Sequence, residues 1–175
     1  MNKFLVKYAY TNQVSDEVGV WMMIPSGVDF IHDDSTLTRT TTIQTGETLA
    51  YFNLLKGQRI SFEYFTDYYR PQRKSLSKEE EQYYLRSTTL SPINEEIRAL
   101  AAQITHSHTT TKEMAKAIFL YIVTNYQYIY PPAERGVPSF LSSKKGDCGE
   151  FSFLFTSLCR AVGIPTRSII GSWAY

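Results

Sequence analysis

Apolar residues recur at every second position up to about residue 65 and at every third or fourth position from residue 91 onward. Phe4, Val6, Tyr8 and Tyr10 alternate with neighbours such as Lys7, the period of a half-buried strand. Val18, Val20 and Met22 repeat the pattern until Pro25, Ser26 and Gly27 stop it. A Thr-rich run, 38–45, reads as a third strand ended by Gly46, and 48–55 follows, closed by Lys56 and Gly57. Ile60, Phe62 and Tyr64 then alternate with Ser61, Glu63 and Phe65. Five or more short strands separated by turn residues predict an antiparallel sandwich-like arrangement.

The second half has the helical period. Ser91 and Pro92 read as an N-cap followed by proline at the first helical position. Ile93, Ile97, Leu100, Ala101 and Ile104 form its stripe. Thr110 with Glu113 makes a capping box for a second helix, whose stripe is Met114, Ala117, Ile118, Tyr121 and Ile122. Tyr126 to Tyr130 is aromatic and alternating and ends at Pro131-Pro132. A loop with Gly136, Pro138 and Gly146 leads to a third helix, and 166–175 reads as a strand carrying Ile169, Ile170, Trp173 and Tyr175. The expected organisation is α+β: an antiparallel β-sandwich-like domain over 1–70, a polar connector over 71–89 with a short helix ending at Leu85, and a helical domain over 90–175.

The third helix carries the candidate chemistry. Asp147 has an N-cap side chain and Glu150, three residues on, completes a capping box. Phe151, Leu154, Phe155, Leu158, Cys159 and Val162 follow at the spacing of a buried face. Gly163 is placed to end the helix in the left-handed conformation, and Pro165 forbids its continuation. Cys159 falls on the apolar stripe and reads as a core residue. Cys148 lies ahead of the stripe between Asp147 and Gly149, in a first turn whose free N–H groups and dipole favour a thiolate. Gly146 and Gly149 leave room beside it for a backbone or a substrate.

Charge and cysteine count narrow the alternatives. Eighteen Lys and Arg against 17 Asp and Glu give a net charge of +1, which argues against a nucleic-acid or anionic-membrane partner. The basic stretch 70–78 runs straight into Glu79, Glu80 and Glu81 and reads as a solvated connector. Two cysteines eleven residues apart on one helix cannot bridge, and they lack the paired spacing of a zinc site. No metal or cofactor is expected. The N-terminal segment shows no uninterrupted apolar signal region and no run is long enough to span a membrane, so a cytoplasmic setting is expected.

A cysteine nucleophile needs an imidazole base and a group to orient it. The three histidines are His32, His106 and His108, and none follows Cys148. His32 sits beside Asp33 and Asp34, while His106 and His108 fall in the polar break between two helices, where exposed loop residues are expected.

The segment Gly146-Asp147-Cys148-Gly149-Glu150-Phe151, with Leu158-Cys159-Arg160-Ala161 and Gly163-Ile164-Pro165-Thr166-Arg167, closely resembles the nucleophile segment of the transglutaminase-like superfamily. The helices from Pro92 and Lys112 and the Tyr126-Gln127-Tyr128 strand start occur in the family's order, and the β-rich first half resembles the N-terminal domain of bacterial members. The resemblance implies a papain-like core in which Cys148 attacks a Gln carboxamide or a peptide carbonyl of a protein or peptide substrate. It implies one oxyanion donor from the Cys148 backbone N–H and a second from an upstream aromatic, for which Tyr128 is the candidate. The family's His and Asp lie on strands beyond the first one after the Cys helix, and residues 1–175 offer no counterpart to either. On that reading the chain is a truncated, inactive transglutaminase-like or cysteine protease-like enzyme, and its last strand is an unpaired edge open to homodimerisation. The alternative is a catalytically silent interaction module of the same family. A third reading has the base supplied by a separate polypeptide, or by His106 or His108 folding back.

Overall fold

Strand alternation in the first part of the chain is realised as two antiparallel sheets. A computed structural model describes residues 3–14, 16–24, 37–42, 48–67 and 75–169. By its contacts the chain divides into two compact units, Met1–Arg73 and Lys74–Tyr175. In the first unit β1 (Lys3–Thr11) pairs with β5 (Arg59–Asp67), and β4 (Thr48–Leu54) lies between β2 (Val18–Ile24) and β3 (Leu37–Thr42). The β1–β5 register runs without a break from Lys3 opposite Asp67 to Thr11 opposite Arg59. Along β4 every second residue, Ala50, Phe52 and Leu54, is buried, and these pack with Met22 of β2 and Ile60 of β5. Tyr10 and Val20 cover the cluster, while Trp21 and Met23, one position out of phase, stay exposed.

Asn12 ties the two sheets at one end. It is fully buried, and its side-chain amide donates to the carbonyls of Asp16 at 2.8 Å and Leu54 at 2.9 Å while its Oδ1 accepts from the Val14 N–H at 3.0 Å. Both its side-chain N–H donors and its carbonyl oxygen are thus partnered within the protein. The fold class is α+β. His32, Asp33 and Asp34, and residues 43–45 of the Thr-rich run, lie outside the described residues.

In the second unit the polar connector carries α1 (Lys78–Leu85), held by a Ser77–Glu80 capping box and ending at Leu85 as expected. Next, α2 (Glu95–Thr105) starts three residues later than Ser91-Pro92 suggested. Asn94 is the cap, its Oδ1 accepting from the Ile97 N–H at 2.9 Å, and Glu95 and Glu96 sit in the first turn where the helix dipole favours them. Ser91 is instead in a turn, exchanging hydrogen bonds with Thr88. The Thr110–Glu113 box starts α3 (Thr111–Asn125) as the sequence indicates. A two-residue strand, β6 (Gln127–Tyr128), follows.

The expected loop before the Cys helix contains a further helix, α4 (Val137–Ser143), entered from Gly136 at φ +98° with Pro138 in the first turn. Proline there loses no helical hydrogen bond, so what reads as a breaker is a helix start. After β7 (Lys145–Gly146) comes α5 (Cys148–Ala161), which contacts α1, α2, α3 and α4. Its Leu154, Leu158 and Cys159 join Ile97, Ala101, Ile118, Ile122 and Phe140 in one core. It ends in a Schellman motif: Ile164 N–H donates to the Cys159 carbonyl at 2.9 Å, Gly163 N–H to that of Arg160 at 3.0 Å, and Gly163 has φ +80°. Of the expected strand 166–175, residues 166–169 are irregular and 170–175 lie outside the described residues. Among the described residues no helix is long and apolar enough to cross a membrane.

Candidate active site

The start of α5 is held by strand pairing on one side and by buried acids on the other. Parallel pairing of β6 with β7 sets Tyr128 opposite Gly146, two residues before Cys148. The Gln127 N–H donates to the Lys144 carbonyl at 2.8 Å and the Ile129 N–H to the Gly146 carbonyl at 2.9 Å. Below this ladder Tyr126 packs its ring on Phe140 at 4.5 Å, and its hydroxyl accepts from Lys144 Nζ at 2.9 Å.

The capping box is closed. Asp147 Oδ1 accepts from the Gly149 N–H at 2.7 Å, and Glu150 Oε2 accepts from the Asp147 N–H at 3.3 Å. Both acids are buried, Glu150 completely. Two buried carboxylates this close repel unless a cation stands between them, and Arg135 does so. Its Nη1 lies 2.7 Å from Asp147 Oδ2 and 3.0 Å from Glu150 Oε2, while half of the Arg135 side chain stays exposed. Glu150 Oε1 also accepts from the Gly136 N–H at 3.4 Å, which fixes the start of α4 to α5. Burial pushes the Asp147 carboxyl up, but the Gly149 N–H, Arg135 and Glu150 together outweigh it, leaving Asp147 below its ordinary value. The Arg135 guanidinium is held above its ordinary value, chiefly by its hydrogen bond to Asp147.

Cys148 itself is exposed, the first residue of the helix. Its carbonyl accepts from Ser152 Oγ at 2.7 Å. Because the Asp147 side chain takes the Gly149 N–H, the Cys148 N–H remains a helix-start donor with no intrahelical acceptor. Tyr128 is exposed as well, its ring 6.4 Å from that of Phe151. Beyond Phe151 an apolar groove of about 290 Å³ runs between α3 and α5, lined by Phe119, Ile122, Val123, Phe155 and Ile169.

The other candidates fall elsewhere. Cys159 is buried in the core, 1% exposed, and burial pushes its thiol up to about 11. His106 is the exposed C-cap of α2, with its ring Nδ1 2.9 Å from the Gln103 carbonyl, and His108 closes a turn through its backbone N–H on Thr105. Among the described residues neither histidine is hydrogen-bonded to Cys148, and no group of three or more His, Cys, Asp or Glu side chains is placed to hold a metal.

Sequence reasoning missed Arg135 and misread Gly146. A Cβ on Gly146 would stand 2.6 Å from Glu150 Cβ and 2.9 Å from Phe140 Cδ2, so this glycine makes room for the protein's own core rather than for a substrate. The one available signal for Arg135 was its place next to Gly136, in the loop that must return to an acid-capped helix.

Fold and site together define an α+β protein whose helical half presents an exposed cysteine at the start of its central helix. Residues 98–175 match the sequence model of the transglutaminase-like superfamily. The recognition made on the Cys148 segment therefore stands. Among solved structures the chain is similar to one named "a Putative Cysteine Protease from Cytophaga hutchinsonii", at 13% identity and a TM-score of 0.56. That match covers 92% of this chain and 60% of the other, so the chain spans about three fifths of that protein's length. A second, "a Putative Protease from Parabacteroides distasonis", matches at 15% identity and a TM-score of 0.39, covering 92% of this chain and 35% of the other. No curated protein matches the sequence.

Proposed function

We propose that residues 98–175 carry the nucleophile of a transglutaminase-like cysteine acyltransferase or hydrolase acting on protein or peptide substrates. The observation that carries this reading is the exposed Cys148 on a helix start that is otherwise capped and buried. In the proposed step the Cys148 sulfur attacks a Gln carboxamide or peptide carbonyl, and the carbonyl oxygen takes the negative charge. The Cys148 N–H, left free by the cap, donates to that oxygen, with the Tyr128 hydroxyl as second donor. Collapse expels ammonia or an amine, which needs a proton, and leaves a thioester that passes to water or to a second amine. The apolar groove beside Phe151 offers a surface for the substrate's side chains.

Neither described histidine is hydrogen-bonded to Cys148, so proton transfer calls for an imidazole from outside these contacts. This favours a single-turnover test over a search for turnover. The chain is mixed with an activated ester, and the acyl adduct is located by mass spectrometry. Acylation is expected at Cys148, lost in Cys148→Ser, slowed on the order of 10²-fold in Tyr128→Phe, and released faster when free imidazole is added. An adduct formed no faster than on a short peptide containing Cys148 would sink the proposal. It would favour instead a catalytically silent interaction module of the same family.

A further inference from the structure

At the opposite end of α5, roughly 18 Å along the axis from Cys148 at 1.5 Å per residue, lies a second cavity of about 270 Å³. Three arginines from three separate segments line it: Arg86 at the C-cap of α1, Arg160 in the last turn of α5, and Arg167 after the Pro165 turn. Tyr83, Tyr84 and Ser91 also form part of its wall. Among the described residues none of the three guanidiniums is ion-paired to a carboxylate.

What holds the cations in place is neutral. Arg160 donates to the Thr166 carbonyl at 3.0 and 2.7 Å and to the Arg86 carbonyl at 2.8 Å. Arg86 lies with its guanidinium carbon 3.7 Å above the Tyr83 ring and donates to the Tyr83 hydroxyl at 2.9 Å. Arg167 stands 5.8 Å from the Tyr84 ring and 3.5 Å from its hydroxyl. The Arg160 guanidinium is pulled below its ordinary value, first by burial and then by the charge of Arg86, so the cluster is under mutual repulsion. The negative end of the α5 dipole accounts for one cation near this point, not for three. Their forked N–H groups, oriented by rings and carbonyls and left without an acid, match the oxygens of a doubly charged tetrahedral anion.

We infer that this cavity binds a phosphate group, either as the free ion or as a small monoester whose remainder lies against Tyr83 and Tyr84. Nothing in this depends on the chemistry of Cys148. The test is titration of the 175-residue chain with inorganic phosphate, phenyl phosphate and succinate, each against chloride at matched ionic strength. Heat of binding and the rise of the unfolding temperature are both read. Saturable 1:1 binding of phosphate is expected, weakened on the order of tenfold by Arg86→Gln or Arg167→Gln and lost in the double variant. Both side chains are exposed, and protection of the Cys159 thiol confirms that each variant is folded. Tighter binding of phenyl phosphate than of phosphate assigns the site to a monoester, and the reverse assigns it to the free ion. Phosphate effects no larger than those of chloride, succinate binding as tight as phosphate, or binding unchanged in the folded double variant would each overturn the inference.

Discussion

Replacing Glu150 by alanine asks whether this acid holds α5 in place. Its two oxygens accept from Gly136 N–H at 3.4 Å, Asp147 N–H at 3.3 Å and Arg135 Nη1 at 3.0 Å, all in a position with no solvent access. Alanine leaves the two amides without an acceptor. Orphaned buried donors cost ~1–3 kcal/mol each, and these long contacts belong at the low end. The missing side-chain volume adds about 1 kcal/mol. Arg135 keeps Asp147 at 2.7 Å and is half exposed, so nothing is added for it. The expected loss is about 3 kcal/mol, a large part of an ordinary domain's 5–15 kcal/mol.

Because the chain forms two compact units, a probe inside α5 reads the effect most directly. Cys159 serves. In a Cys148→Ser background it is the only thiol, it is 1% exposed, and its thiol is pushed up to about 11. A disulfide reagent at pH 8 therefore reacts with it only when α5 opens. A loss of 3 kcal/mol should raise the labelling rate roughly 150-fold. Glu150→Gln keeps the volume and one acceptor oxygen, so about 1 kcal/mol and roughly a fivefold rise are expected. Labelling of the alanine variant within about threefold of its parent would refute the reasoning. If glutamine proved as damaging as alanine, the charge opposite Arg135 would be the dominant contribution instead of the amide acceptors.

Three further outcomes follow from α5 and the residues that start it. The Asp147 carboxyl lies lower in the fold than in the unfolded chain, so it contributes stability above the unfolded value near 3.9 that is lost as pH falls through the folded value. Asp147→Asn keeps the cap but not the charge. Urea midpoints taken from pH 7 down to about 2.5 should therefore fall less steeply than those of the parent. Among the described residues the buried Ser157 Oγ has no hydrogen-bond partner, so Ser157→Ala should stabilise by about 1 kcal/mol, read as a higher urea midpoint at unchanged slope. Gly146→Ala forces a Cβ against Glu150 and Phe140 and should cost ~1–3 kcal/mol, seen as a tens-fold rise in Cys159 labelling.

Legibility in the sequence followed the range of the interaction concerned. Capping boxes span three residues, and Thr110–Glu113 and Asp147–Glu150 stand where the spacing placed them. Gly163 and the Cys159 burial follow from the same local periodicity. The start of α2 slipped because Ser91-Pro92 and Asn94-Glu95-Glu96 are rival local signals, and packing of Ile97 and Ala101 decided for the second. Helix α4 was hidden because Pro138 reads as a breaker unless the helix start is already known. Arg135 could not be read at all. Its partners lie 12 and 15 positions away, and nothing periodic connects a loop arginine to them.

Two cysteines on one helix now have different explanations. Cys159 is accounted for by packing: it fills the core, and a polar or larger side chain there would disturb Leu158, Ile97 and their neighbours. No comparable account exists for Cys148. It is exposed, it lies outside the buried cluster, and the cap it might have served is built from Asp147, Glu150 and Arg135. On these contacts Cys148→Ser should leave the stability within about 0.5 kcal/mol of the parent while abolishing acylation. That outcome, at a residue on a helix start that three buried or half-buried charges hold in place, would support the proposed role of Cys148 as nucleophile. If the serine variant were instead destabilised by 2 kcal/mol or so, Cys148 would be a structural residue and the nucleophile assignment would lose its main support.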